Sequence, residues 1–464
     1  MPDAAIPMRK SAWRTEVSAT LAIAFPLAAA NLLQMLVYAI DVMFVARLGT
    51  EPLAAVSLSI ALFGTLGWAT MGLTGMVSAL IAAALGRGTG VVREVRRATR
   101  MALWLAVIVG FALALLCQFG EPIMRLAGQD PGISEQAGRF LALLGWAAIP
   151  MLIANVLRSY VAALGRPLFA TVVLVIAVGS AALGNYAFVF GRLGAPAMGI
   201  EGAALASNLT SWAMVFAFAA AIQFDRRLAR FHIWGRWWSP DWAYFRRLVK
   251  LGTPVSLTVL AEAGVFNGAA FMMGLIGTAQ LAGHTLALQI AAFAFQVPFG
   301  VAQAATIRVG YHFGAGDRGG IARAGWAAIL IGTGFMAITA SAMLFAPHTL
   351  LSLYVDPHSP QNAELVAFAV QFMLVAAGFQ LFDGLQAVAA GSLRGLQDTR
   401  MPMVIAIFGY WAPGFGTMVW LGFFTPLEGI GVWLGLLVGL VVVAGALLWR
   451  WTMREQLRLL PLPN

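Results

Sequence analysis

Apolar residues fill runs of roughly 20 or more positions from one end of the chain to the other, each long enough to cross a bilayer as a helix. Short segments rich in Gly, Pro, Arg and Asp interrupt them. The pattern predicts twelve helices, at about 17–46, 52–82, 99–118, 136–157, 167–191, 199–222, 251–276, 281–307, 322–346, 363–391, 401–424 and 429–450. The fold class is therefore all-α and integral to a membrane. Basic residues precede the first run, as in a signal peptide. That run continues well past the length of an h-region and reads as the first transmembrane helix.

The longest polar segment, Phe224 to Lys250, lies at the midpoint and divides six helices from six. Across it the sequence repeats. AFPLAAANLLQ at Ala24 resembles GTPVSLTVLAE at Gly252, with Pro26 matching Pro254. The same spacing pairs Gly49 with Gly277, Thr50 with Thr278, Leu53 with Leu281, Gly72 with Gly300, Gly86 with Gly314 and Gly88 with Gly316. A register held through two helices and both following turns points to an internal duplication. An even number of helices per half makes these parallel repeats, related by a pseudo-two-fold axis along the membrane normal. The expected organisation is an N-terminal lobe at 1–223, a basic linker at 224–250 and a C-terminal lobe at 251–464, around a central cleft. Pro26 and Pro254 each remove a backbone hydrogen bond from the first helix of a lobe and are candidate hinges.

Composition agrees with the helical map. Hydrophobic residues make up 61% of 464, charged residues 10%, and the mean hydropathy is +0.84. The net charge of +10 would suggest nucleic acid, but its distribution argues against that. All Lys and Arg except Arg47, Arg125, Arg139 and Arg192 fall on the side that holds both termini. The positive-inside rule then places both termini in the cytoplasm. The single cysteine, Cys117, lies in an apolar run and excludes an intrachain disulfide. The five histidines show no metal-ligand spacing, and no P-loop, HExxH or GxSxG is present. GAGDRGG at Gly314 lacks the Lys-Ser/Thr of a phosphate loop and reads as a turn between helices.

Against this background three carboxylates stand out. Asp41 in the first helix, Glu262 in the seventh and Asp383 in the tenth lie deep in apolar runs, with no basic partner apparent in the sequence. A buried charge costs several kcal/mol unless something compensates it, so such residues are rare and mark ion or substrate paths. An acid in a low-dielectric site binds a proton readily and can exchange it for a cation when its surroundings change. That is the chemistry of a coupling site. A negative carboxylate in a cleft rich in Met and Phe (20 and 30 in the chain) would also attract organic cations. The acids are not repeat-related: the register pairs Asp41 with Ala269 and Glu262 with Gln34. Gln34 and Tyr38 on the first helix, Phe266 on the seventh and Gln289 on the eighth are candidate substrate contacts.

Two six-helix halves carrying AIDVMFVARLGTEPLAAVSL, GTAQLAGHTLALQI, FGVAQAATIRVGYHFGAGD and GSLRGLQDTRMPM resemble the multidrug and toxic compound extrusion (MATE) family over nearly the whole chain. Asp41 together with Glu262 and Asp383 resembles its NorM branch. The resemblance implies antiport by alternating access: cationic, often aromatic drugs and dyes leave while H⁺ or Na⁺ enters. It places Asp41 in the N-lobe site and Glu262 and Asp383 in a C-lobe cation site that could hold Na⁺. It further implies a transporter of the bacterial inner membrane, with no cofactor and no enzymatic activity. Because the cleft forms within one chain, a monomer is expected.

One departure bears on the ion. Family members often carry two polar residues four apart in the fifth helix; here GSAALGNYAFVFG supplies Asn185, but the earlier position is Ala181. One polar ligand fewer favours H⁺ over Na⁺ at Asp41, with Asn185 as its hydrogen-bond partner. Two other functions fit the sequence less well. A lipid-linked oligosaccharide flippase of the same superfamily would need basic residues in the cleft. An integral-membrane enzyme would need aspartate-rich metal motifs, which are absent.

Overall fold

The computed structural model describes residues 6–126, 128–235 and 238–461. Of the basic residues counted above, Arg236 lies outside these, and the side chains of Arg9 and Lys10 are not described. Twelve helical spans are long and apolar enough to cross a membrane: α1 (Ala12–Leu48), α2 (Thr50–Arg87), α3 (Val91–Cys117), α4 (Pro131–Ala163), α5 (Leu168–Phe190) and α6 (Ile200–Phe224), then α7 (Trp242–Ile276), α8 (Thr278–Ala315), α9 (Arg318–Phe345), α10 (Pro360–Gly395), α11 (Arg400–Phe423) and α12 (Glu428–Thr452). No strand occurs among the described residues.

The predicted helices all form, and several run longer than their apolar cores. α4 starts at Pro131 because Asp130 caps it, accepting from Gly132 N at 2.8 Å, with proline at the first helical position. α8 continues past 307 through Arg308 and His312, whose side chains find a carboxylate rather than water (below). The repeat is visible in the backbone. α2 and α8 end on Gly88 and Gly316, each at φ +72°, a left-handed cap that glycine adopts without strain.

The chain forms two compact units, and their limits differ from a division at 224–250. One unit comprises Met1–Ala28 with Leu257–Asn464; the other is Ala29–Ser256. Each long first helix therefore begins in one unit and ends in the other. α1 and α7 are both continuous through their prolines, and each changes unit two residues beyond, after Ala28 and after Ser256.

Charge ties the start of each exchanged helix to its unit. Buried Glu16 accepts from Arg308 Nε and Nη2, both at 2.8 Å, and lies 3.1 Å from His312 Nε2. His312 Nδ1 is in turn 3.2 Å from Asp317. At the start of α7, Asp241 pairs with Arg97 of α3, whose hydrogen bond holds the Asp241 carboxyl below the ordinary carboxylate range. The basic segment is likewise packed rather than free. Tyr160 Oη donates to Leu228 O at 2.7 Å, and Asp225 pairs with Arg166 at 3.1 Å.

Candidate functional site

The unit Ala29–Ser256 contains a partly open, largely apolar cavity. Helical spacing builds its wall, since residues three, four and seven apart share one face. α1 contributes Gln34, Tyr38 and Asp41; α6 contributes Ser207, Thr210, Ser211 and Met214; α4 contributes Met151, Asn155 and Arg158; and α2 contributes Phe63 and Met71. Asn155 fastens α4 to α2, donating to Met71 O at 3.1 Å and Thr74 Oγ1 at 2.9 Å.

Asp41 is 5% exposed, and two neutral side chains hold it. Asn185 Nδ2 donates to Oδ1 at 2.7 Å, and Ser207 Oγ donates to Oδ2 at 2.7 Å. Both oxygens thus have a donor, and neither donor neutralises the charge. Asn185 also donates to the carbonyl of Ala181, so its amide is aimed from its own helix. The expected Asn185 contact is present. Ser207 fills the role that the apolar Ala181 leaves open, and the sequence reading missed it. The signal was partly available, because Ser207, Thr210 and Ser211 share one helical face of α6, although Asn208 between them blurs the stripe.

The expectation that every deep charge is acidic needs correction. Arg158 is buried on the cavity wall that also carries Asp41, and it donates to Asn31 Oδ1. A linear map assigns Arg158 to the membrane surface because it closes the predicted fourth helix at 136–157. In the structure α4 continues to Ala163 and keeps Met151, Asn155 and Arg158 on one face. Arg394 on α10 is partly buried, and its field reaches Glu262.

The second unit holds a narrower cavity lined by Glu262 and Phe266 of α7, Phe379 of α10, Tyr410 of α11 and glycine-rich positions of α12. Phe266 and Phe379 meet edge to face, their centroids 5.9 Å apart. Asp383 is 6% exposed, lies within the field of Glu262, and its Oδ1 has no hydrogen-bond partner among the described residues. Gln289 is exposed on α8 and lines neither cavity. Tyr410 went unnoticed in the sequence. Among the described residues no three His, Cys, Asp or Glu side chains gather as a metal site.

Comparison with known proteins joins these features. The MatE family model matches twice, over residues 26–187 and 254–416. The two matches begin on Pro26 and Pro254, in the register of the internal repeat. A probable multidrug resistance protein NorM of Mesorhizobium japonicum is 43% identical over 98% of this chain and 97% of its own length. One of Brucella suis is 39% identical over 95% and 93%. A multidrug resistance protein NorM of Burkholderia vietnamiensis is 33% identical over 94% and 93%. Among solved structures, the eukaryotic MATE transporter AtDTX14 superposes with a TM-score of 0.86 at 20% identity, covering 96% of this chain and 98% of that one. A MATE family transporter of the MOP superfamily in an outward-facing conformation gives 0.84 at 22%, covering 96% and 97%.

Proposed function

The chain belongs to the MatE family and is a multi-pass multidrug efflux transporter, not an enzyme, and we propose that it works as an antiporter, exporting organic cations against an inward flow of H⁺ or Na⁺. One observation carries this reading. A buried carboxylate, Asp41, stands on the wall of a partly open, largely apolar cavity and is held only by neutral donors. Such a group keeps its charge available either to a proton or to a cationic ligand, and not to both at once. Binding of one therefore promotes release of the other, which is the thermodynamic core of exchange.

Glu262 and Asp383 are the deep acids of the other unit, at positions that do not match Asp41 in the repeat. Their carboxylate oxygens take up the coupling ion, H⁺ or Na⁺. Gln34 and Tyr38 flank Asp41 on the cavity wall, and Phe266 flanks Glu262, in keeping with a role in substrate contact. The substrates are aromatic cations, to which Phe63, Met71, Met151 and Met214 offer an adaptable apolar surface. Arg158 on the same wall supports a second ligand class, zwitterions whose acidic end meets the guanidinium. Alternating access would exchange the cavities between the two faces of the membrane, with Pro26 and Pro254 as hinges, both termini cytoplasmic and one chain as the working unit.

The test is ethidium movement in proteoliposomes, driven separately by a pH gradient and by a Na⁺ gradient. The wild-type protein should export the dye under at least one of them, and Asp41→Asn should lose most of that activity. A wild-type protein that ignores both gradients, or an Asp41→Asn variant at full rate, overturns the reading.

A further inference from the structure

Tyr410 is 4% exposed, and its hydroxyl has no hydrogen-bond partner among the described residues. Burying a hydroxyl without a partner costs about 1–3 kcal/mol, a cost that phenylalanine at the same place would avoid. The ring nevertheless lines the Glu262 cavity, and the charged groups whose fields act on it are Glu262 and Asp383. Arg394 acts on Glu262 from α10, while the α12 wall offers only Gly435, Leu436, Gly439 and Leu440.

The backbone aims this side chain deliberately. Residues Tyr410–Gly414 form a π-helical turn inside α11, containing Pro413. Proline removes one donor from the helical ladder, and single π-turns within α-helices concentrate at functional sites. The next residue fixes the turn in place. Trp411 Nε1 donates to the carbonyl of Ala261, immediately before Glu262, at 3.2 Å. Its ring covers Gly264, where a Cβ would lie 2.9 Å from Cζ2. Residues on both sides of Glu262 are thus clamped by the segment that presents the Tyr410 hydroxyl.

We propose that Tyr410 is a third ligand residue of the second carboxylate site, its hydroxyl held by the π-turn for the ion taken up at Glu262 and Asp383. This rests on the ion-coupled reading above. The hydroxyl can donate to a carboxylate or accept a cation, so it serves either ion without changing its own charge.

Two measurements on the full-length protein decide it. In the first, the thermal midpoint of purified protein is followed against Na⁺ at fixed pH and against pH at low Na⁺, since a bound ion stabilises the folded state by mass action. Tyr410→Phe should need about tenfold more of the stabilising ion for the same rise, the effect of one lost hydrogen bond to a charged group. Trp411→Phe, which keeps a ring but loses the bond to Ala261, should shift in the same direction by less. Identical ion dependence in wild type and Tyr410→Phe overturns the proposal, including the case in which neither responds. In the second, ethidium transport by Tyr410→Phe should show an unchanged KM for dye and a raised half-saturating ion concentration. A raised KM for dye with unchanged ion dependence would make Tyr410 a drug contact and overturn the proposal. Absence of gradient-driven transport in the wild type would instead remove the antiport reading, leaving the thermal measurement to judge Tyr410.

Discussion

Asp41 shows how one side chain can be both buried and usable. Its two oxygens accept from Asn185 and Ser207, each at 2.7 Å, which offsets part of the desolvation without supplying a counter-charge. Ser207→Ala leaves one oxygen without its donor and should lower gradient-driven ethidium transport about tenfold, as expected for a lost bond to a carboxylate. Ser211→Ala is the control. It lies on the same face of α6, but its hydroxyl donates to Ser207 O at 2.9 Å rather than to Asp41. Its transport should stay within about twofold of wild type, the scale of a solitary neutral hydrogen bond. Equal losses in both variants would mean that α6 matters for packing and not for Asp41. The sequence alone showed Asp41, Glu262 and Asp383, because a carboxylate in an apolar run is conspicuous whatever surrounds it. It showed Asn185 through resemblance. Ser207 was hidden because a serine hydroxyl in a membrane helix commonly bonds its own backbone, as Ser211 does, and only geometry separates the two cases. Tyr410 was hidden because an aromatic ring in an apolar run reads as packing.

Between helices, the repeat-related glycines Gly72 and Gly300 act where α7 and α1 change unit. A Cβ on Gly300 would lie 2.7 Å from the backbone nitrogen of Ala28 and 2.9 Å from its Cα. On Gly72 the nearest atom is the Val255 side-chain methyl at 3.3 Å. Backbone cannot yield without moving the helix, whereas a valine methyl can rotate away. Gly300→Ala should therefore destabilise the detergent-purified protein by about 1–3 kcal/mol. Gly72→Ala should be close to neutral, because relief of glycine's helix penalty, about 1 kcal/mol, offsets the mild crowding. Thermal unfolding of the two variants side by side decides this, and equal losses would contradict it. The repeat was readable from these very glycines. The difference between them was not, since each glycine's neighbour comes from a distant helix.

At the scale of the whole molecule, the halves visible in the sequence do not coincide with the two compact units. A linear reading divides the chain in its long basic segment. The structure gives residues up to Ala28 to the unit built from the second half, and Trp242–Ser256 to the unit built from the first. No local pattern announces that exchange, because Glu16 and Arg308 are ordinary polar residues near helix ends until they meet. The prolines do mark its position, two residues before each crossing. A consequence follows for a chain split in the basic segment. A piece ending at Gly235 lacks the start of α7, which its unit receives through the Arg97–Asp241 pair and the approach of Gly252 to the carbonyl of Leu73, where a Cβ would sit at 2.3 Å. The complementary piece, beginning at Trp238, lacks Glu16, which leaves Arg308 without its carboxylate and His312 with Asp317 alone. Breaking a buried pair such as Glu16–Arg308 typically costs about 3–5 kcal/mol, a large share of a domain's net stability. The other piece loses the close packing of Gly252 against Leu73. Each piece expressed alone should therefore elute as aggregate in size-exclusion chromatography, while co-expression should restore a co-purifying pair. A single piece that is monodisperse and stable on its own would show that the exchanged helix starts are dispensable, and would return the unit boundary to the basic segment.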